Sequence, residues 1–272
     1  MNKPLVSVLM PAYNSEIFIT EAIESILDQT YENFEFIIID DCSTDKSWKI
    51  IEKYRLIDKR IKAFRNDKNL GITRSRNKLF DLANLEANYY AIFDSDDISM
   101  PERLEKEVEF LENNPDYGVV GSHIYIIDEN SRIIGKRNYE TDAQKLKKRI
   151  LLRSPLAQPS VMIRKAVIEN IGKYDTKKYD RAKDYDLWIR ISDRYKLKNI
   201  NEFLIKYRLS SSQGKKTHLK ETLKSTIQIQ QKWLFRLKYF NLKLFFYIFI
   251  EYLMLILPEK IVLWIFKNVI YQ

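Results

Sequence analysis

Three carboxylates, Asp94, Asp96 and Asp97, fall within four residues at the end of the apolar run Tyr89-Tyr90-Ala91-Ile92-Phe93. Nothing in folding asks for such a cluster. Like charges this close repel and raise one another's pKa unless a cation sits among them. Oxygen-only donors suit a hard divalent ion, Mg²⁺ or Mn²⁺, which keeps open positions for phosphate oxygens. The alternative is a solvated acidic turn in which Ser99 caps a helix opened by Pro101 and Glu102. A second acidic pair, Asp40-Asp41, closes the run Phe34 to Ile39. A further aspartate opens the segment Asp184-Tyr185-Asp186-Leu187-Trp188. The spacing of Leu187, Trp188 and Ile191 predicts a helix with Asp184 in its first turn. The helix dipole and free backbone N–H groups favour a carboxylate there, either for stability alone or to keep a general base ionised.

The elements that carry these groups alternate. Leu5 to Met10 reads as a buried strand, broken by Pro11-Ala12-Tyr13-Asn14; Asn14 or Ser15 then caps a helix with Ile19, Ala22, Ile23, Ile26 and Leu27 inward. Strands follow at Phe34 to Ile39, Ile61 to Phe64 and Tyr89 to Phe93, separated by helices at Trp48 to Ile57 and Thr73 to Glu86. Such alternation predicts a mostly parallel sheet, whose ligands collect at the carboxyl ends of its strands. Tyr13, Asn14, Asp40, Asp41, Asp94, Asp96 and Asp97 all fall at such ends, so one edge is expected to hold a site. The second half is expected to add a helix at Glu102 to Leu111, a strand at Gly118 to Ile127 with a hairpin partner at Ile133-Ile134, and a helix at Asp142 to Leu152. A loop from Pro155 feeds a strand, Gly172 stops a helix begun at Lys165, and a last strand runs from Asn201 to Leu209.

Composition narrows the class. The chain has 272 residues, 45% of them apolar, enough for one sizeable α/β unit. A single cysteine, Cys42, excludes an internal disulfide and fits a reducing cytosol. No charged-then-apolar leader opens the chain, so no secretory signal is expected. Neither G-x-G-x-x-G nor G-x-x-x-x-G-K-[ST] occurs, and six glycines make a glycine-rich phosphate cradle improbable. Diphosphate charge would then be met by metal and by Arg74 and Arg76 after Gly71, unless these arginines only line a solvated helix face.

Seven blocks in order now resemble a family: Val8-Leu9-Met10-Pro11-Ala12-Tyr13-Asn14, Ser25-Ile26-Leu27-Asp28-Gln29-Thr30, Ile39-Asp40-Asp41-Cys42-Ser43-Thr44-Asp45, Gly71-Ile72-Thr73-Arg74-Ser75-Arg76-Asn77, Phe93-Asp94-Ser95-Asp96-Asp97, Met100-Pro101-Glu102-Arg103-Leu104 and Asp184-Tyr185-Asp186-Leu187-Trp188. Together they resemble the bacterial family 2 glycosyltransferases from about Val6 to Ile191. The resemblance implies a GT-A-type α/β domain with a mostly parallel sheet flanked by helices. It implies inverting transfer from a nucleotide-diphosphate sugar, with UDP favoured and Mn²⁺ or Mg²⁺ as cofactor. By position, Pro11, Tyr13 and Asp41 would line the nucleobase and ribose pocket, and Arg76 would lie near the donor. Asp96 and Asp97 would hold ribose and the metal-diphosphate, Asp94 would complete the D-x-D-D pattern, and Asp184 would be the catalytic base. Lys183 departs from the family, which commonly has an acid there. The Gln/Arg-x-x-Arg-Trp element of processive synthases is also missing: Gln230-Gln231-Lys232-Trp233 lacks its arginine, so one sugar per encounter is expected.

Residues 1–100 are expected to bind the nucleotide sugar, and 101–213 the acceptor and base within the same domain. Residues 214–272 form a basic, apolar helical tail. That tail holds ten Lys/Arg and three Glu, about +7 of the net +9. Leu242 to Leu257 would make a helix about 24 Å long, short of a hydrocarbon core of roughly 30 Å, with Glu251 a further penalty. An interfacial segment is expected, with Lys215, Lys216, Lys220, Lys224, Lys232, Arg236 and Lys238 facing anionic headgroups at the cytoplasmic face. Packing on the enzyme or in a homodimer is the other reading; nucleic acid is disfavoured by so apolar a tail. A saccharide or lipid-linked saccharide is the expected acceptor. Two other functions stay open: a sugar-nucleotide transferase, which lacks its phosphate loop here, and a catalytically dead sugar-nucleotide scaffold, for which Lys183 is the only hint.

Overall fold

The computed structural model describes residues 3–209, 219–236, 242–258 and 261–262. Four parallel strands form its first half: β1 (Val6–Ala12), β2 (Phe34–Asp40), β3 (Ile61–Arg65) and β4 (Tyr89–Ile92), in the order β3-β2-β1-β4. Helices α1 (Ile19–Leu27), α2 (Ser47–Ile57) and α3 (Ile72–Leu82) connect them. Successive side chains of a strand point to opposite faces. Val6, Val8, Met10, Phe36 and Ile38 accordingly pack under α1, α2 and α4 (Arg103–Asn113). Leu9, Ile37, Ile39 and Ile92 pack under α3, α6 (Lys165–Ile171) and α7 (Lys183–Ser192).

The second half continues the same nine-stranded sheet but is mixed. Strand β8 (Met162–Arg164) lies antiparallel between β4 and β6 (Tyr117–Ile127), and β9 (Lys196–Arg208) runs parallel to β6. Strand β5 (Ile98–Ser99) closes the far edge against β9, and β7 (Ile133–Arg137) folds back on β6. The sheet is therefore mixed, with the expected parallel pairing held among β1 to β4 and between β6 and β9. Crossover helices enforce parallel pairing among β1 to β4; beyond β4 only β6 and β9 pair in parallel, β7 folds back on β6 through a short turn, and long-range packing sets β5 and β8 antiparallel. Helix α5 (Ala143–Arg149) is capped by Asp142, which accepts from Lys145 N at 2.8 Å. Gly172, at φ 85°, ends α6 as expected.

Three local expectations need correction. Pro11 does not break β1, which runs on to Ala12. Leu9 O faces β4 and accepts from Phe93 N, so Pro11, two residues on, aims its missing N–H past the last β4 pair and loses no ladder bond. Ser99 is not a helix cap but pairs with Ile205 in β5, its N–H bonded to Ser25 Oγ. Neither Asn14 nor Ser15 caps α1 with its side chain; the backbone carbonyl of Ser15 accepts from Phe18 and Ile19 instead.

The tail forms α8 (Leu219–Arg236) and α9 (Leu242–Ile256). Both pack through a third apolar cluster on Ile150, Leu151, Tyr179, Tyr185 and Ile189. Helix α7 is thus clamped between the sheet, through Leu187, Trp188 and Ile191, and the tail, through Tyr185 and Ile189. Lys232 is exposed as expected, but its ammonium is engaged by an acid of the domain. Its ammonium lies 3.3 Å from buried Asp186, because a carboxylate out of water needs a cation close by. Glu251 is turned inward and is 6% exposed. Lys215, Lys216 and Lys238 lie outside the described residues, as does the side chain of Arg236.

Candidate active site

The carboxyl ends of β1, β2 and β4 share one edge, and the loops after them are stitched together. Asn14, at φ 47°, donates its N–H to Ser43 Oγ at 3.0 Å, while its Oδ1 accepts from Thr44 N at 2.9 Å. Ser15 N donates to Ser47 Oγ, and the Ser15 and Ser95 hydroxyls share a hydrogen bond at 2.8 Å. This network leaves Tyr13 turned out, 47% exposed, at the rim. Pro11 lies buried behind it. An exposed aromatic ring beside a rigid strand end is a stacking surface for a flat heterocycle.

Asp41 is 3% exposed, and its carboxylate is fully engaged. Oδ1 accepts from Asn66 Nδ2 at 2.7 Å and Leu70 N at 2.9 Å, and Oδ2 accepts from Gly71 N at 2.8 Å. It therefore holds the turn that launches α3. Gly71 enters that helix at φ 82°, a region costly to any residue with a Cβ. Asp40 beside it is fully buried, paired with Arg65 at 3.1 Å.

Helix α3 then presents Arg76 to the acidic edge, while Arg74 stays exposed. Arg76 Nη2 lies 2.5 Å from Asp94 Oδ1. Burial alone would lower the Arg76 pKa, but the charges of Asp94, Tyr174 and Asp184 hold it above its ordinary value. Arg76 Nε is buried with no hydrogen-bond partner among the described residues. An orphaned guanidinium N–H facing a charged edge is a position for an anionic oxygen.

Asp96 and Asp97 diverge. Asp97 is 1% exposed, and its Oδ1 accepts from Arg208 N at 2.8 Å. Asp96 stays half-buried at the mouth, its backbone carbonyl accepting from Arg208 Nε at 2.7 Å. The buried Arg208 guanidinium continues to Asp128 O and to Glu21 at 2.7 Å. Arg76 and Arg208 thus supply part of the positive charge that the carboxylate cluster calls for. Among the described residues no three His, Cys, Asp or Glu side chains form a metal cage. Mg²⁺ and Mn²⁺ do not need one: one or two carboxylates plus substrate phosphates suffice. A single hard oxygen donor at the mouth, Asp96, fits an ion that arrives with a diphosphate.

Asp184 sits half-buried in the first turn of α7, which starts from Ala182 at φ 54°. Among the described residues its carboxylate takes no hydrogen bond. The field of Asp184 reaches both Arg76 and Tyr174. Tyr174 is 4% exposed, accepts from Gln158 Nε2 at 2.5 Å, and is pinned to α3 through Asn77, whose Nδ2 donates to Tyr174 O at 2.9 Å. Burial pushes its phenol up to about 12, with Arg76 and Gln158 pulling down and Asp184 and Asp94 pulling up.

Arg76, Asp94, Asp184 and Tyr174 therefore form one electrostatic group at the edge that also carries Tyr13 and Asp96. Sequence reasoning missed Tyr174, which stands in an unpatterned stretch, and Arg208. The latter had a signal: an arginine at the end of an apolar strand must find acid when buried. The geometry offers an aromatic rim, an anion position, a half-open carboxylate at the mouth, and, among the described residues, a second carboxylate that takes no hydrogen bond.

The model described as Glycosyl transferase family 2 matches residues 7–172. The chain belongs to glycosyl transferase family 2. It is 38% identical over 274 residues to an uncharacterized glycosyltransferase of Methanocaldococcus jannaschii, covering 97% of this chain and 92% of that one. It is 31% identical over 222 residues to the O-antigen biosynthesis glycosyltransferase WbnJ of Escherichia coli, with 79% and 84% covered. Among solved structures, Staphylococcus aureus TarS 1-349 in complex with UDP-GlcNAc aligns at a TM-score of 0.66 and 21% identity, covering 82% of this chain and 66% of that one. The mannosyltransferase PcManGT of Pyrobaculum calidifontis, in complex with GDP-Man and Mn²⁺, also aligns at 0.66, with 16% identity and 85% and 64% covered. At such identities these two likenesses establish the family's GT-A fold alone.

Proposed function

We propose that this protein is an inverting glycosyltransferase. It moves one sugar from a UDP-sugar to a saccharide or lipid-linked saccharide acceptor in cell-surface polysaccharide synthesis. The observation that carries the reading is the grouping of Arg76, Asp94 and Asp184 at the strand edge that also presents Tyr13 and Asp96. WbnJ supports the polysaccharide assignment, TarS supports UDP, and PcManGT, with GDP-Man and Mn²⁺, makes GDP the alternative base and supports a metal.

In this mechanism Tyr13 and the Pro11 strand end receive the nucleobase, and Asp94, held by Arg76, lies on the donor side. Arg76 offers its orphaned Nε to the phosphates. Asp96 carries the Mn²⁺ or Mg²⁺ site, with Asp97 bracing it through β9. Bound there, the ion would neutralise charge on the departing diphosphate. Asp184 takes the proton from the acceptor hydroxyl, whose oxygen attacks the anomeric carbon opposite the nucleotide, so configuration inverts. General-base catalysis of this kind is typically worth about 10²–10⁴-fold. Calorimetry of UDP and GDP with and without Mn²⁺ tests the donor half. Metal-strengthened binding of UDP supports the reading, and no binding of either nucleotide contradicts it.

A further inference from the structure

Helix α9 divides its side chains between two faces. Leu244, Ile248, Glu251 and Met254 are buried in the cluster shared with α7 and α8 or beside it. Phe245, Phe246, Phe249, Tyr252, Leu253 and Ile256 are between 43% and 81% exposed. Their three- and four-residue spacing makes one continuous stripe along the outer face. Six large apolar side chains in a row are more than a helix ordinarily shows to water.

The described border of the stripe is polar, with exposed Lys224 on the neighbouring helix. Of the two acidic residues in the described tail, Glu251 is turned inward and Glu221 is paired with Arg181 at 3.5 Å. Helix α8 borders the stripe: Gln231 Nε2 donates to the Tyr252 hydroxyl at 2.8 Å, and Lys224 and Gln228 are exposed on the same helix. By sequence, 214–272 holds ten Lys/Arg and three Glu. With 15 residues, α9 is about 22 Å long, and among the described residues no helix is long and apolar enough to cross a membrane. Aromatic side chains with a polar border, in a tail that is basic by sequence, suit the headgroup boundary of an anionic bilayer. A second copy seated on the stripe would bring two such basic tails together, a like-charge cost.

We infer that the outer face of α9 docks in the surface of an anionic bilayer, with Phe246 and Phe249 among the acyl chains and Lys224 toward the headgroups. The tail grips the base helix from its other side, so docking holds α7 at a fixed attitude to the membrane.

Flotation of the full chain with phosphatidylglycerol-containing vesicles, and with phosphatidylcholine alone, tests this. Wild type is expected to float with the anionic vesicles and to release at high salt. Phe246→Glu/Phe249→Glu is expected to lose roughly a hundredfold in partitioning, with its melting curve and nucleotide binding unchanged. Wild type that stays with the free protein, or a double variant that floats equally well, overturns the inference. So does a wild-type dimer in light scattering that the double variant converts to monomer without any flotation, because a second copy then covers the stripe. None of these outcomes depends on the donor chemistry.

Discussion

Arg76 answers two acidic neighbours, Asp94 by an ion pair at 2.5 Å and Asp184 through its field. It thereby ties the end of β4 to the start of α7, elements separated by about ninety residues of chain. Asp96 and Asp97, adjacent in sequence, have different surroundings: one half-open, the other committed to the Arg208 backbone. Their variants should therefore part company. Asp96→Asn is expected to abolish the metal dependence of UDP binding in calorimetry. Asp97→Ala is expected instead to cost about 1–3 kcal/mol of stability, because it strands a buried N–H. A fall in melting temperature with residual metal dependence checks that outcome.

The element that matters most is α7. Asp186 is 1% exposed and accepts from Arg190 Nε at 2.7 Å, Lys232 Nζ at 3.3 Å and Trp233 Nε1 at 3.4 Å. The Gln230-Gln231-Lys232-Trp233 run, read from sequence as lacking the arginine of the processive element, thus joins the tail to α7. Asp186→Ala leaves Arg190 and Lys232 without their carboxylate and should destabilise the fold by about 3 kcal/mol, read in urea denaturation. Glu251 reports on the same junction. Burial pushes its carboxyl from 4.5 up to about 7, Gln230 pulling weakly down. A raised folded pKa means its stabilising share is complete below about pH 4.5 and is lost as pH rises through about 7. Melting temperature should therefore fall between pH 5 and pH 8, and Glu251→Gln should flatten that slope and raise the pH 8 value.

At the scale of the whole molecule, the first four strands and their helices were legible because apolar runs alternate with amphipathic ones. The acidic edge was legible because parallel strands end on the same side. Strand order beyond β4 was not, since it depends on long-range packing. The first half of β9 was hidden by Lys196, Lys198 and Asn199, whose buried amide donates to Glu140 O and Pro155 O. Two-residue β5 is too short to leave a pattern, and the inward turn of Asp97 is set by Arg208, 111 residues away. The divided faces of α9 were half visible: periodicity marked the apolar helix, but only tertiary contacts decide which side is covered.

The central claim is that one edge of this sheet transfers a sugar with Asp184 as base. The direct measurement is release of nucleoside diphosphate from a panel of UDP-, GDP- and dTDP-sugars with Mn²⁺ or Mg²⁺, by wild type and by Asp184→Asn, with saccharide acceptors present. The account predicts metal-dependent release from one donor by wild type, reduced about 10²–10⁴-fold in Asp184→Asn while nucleotide binding persists. Wild-type turnover by Asp184→Asn would remove the base from its role, and a chain that binds no nucleotide would contradict the transferase reading altogether.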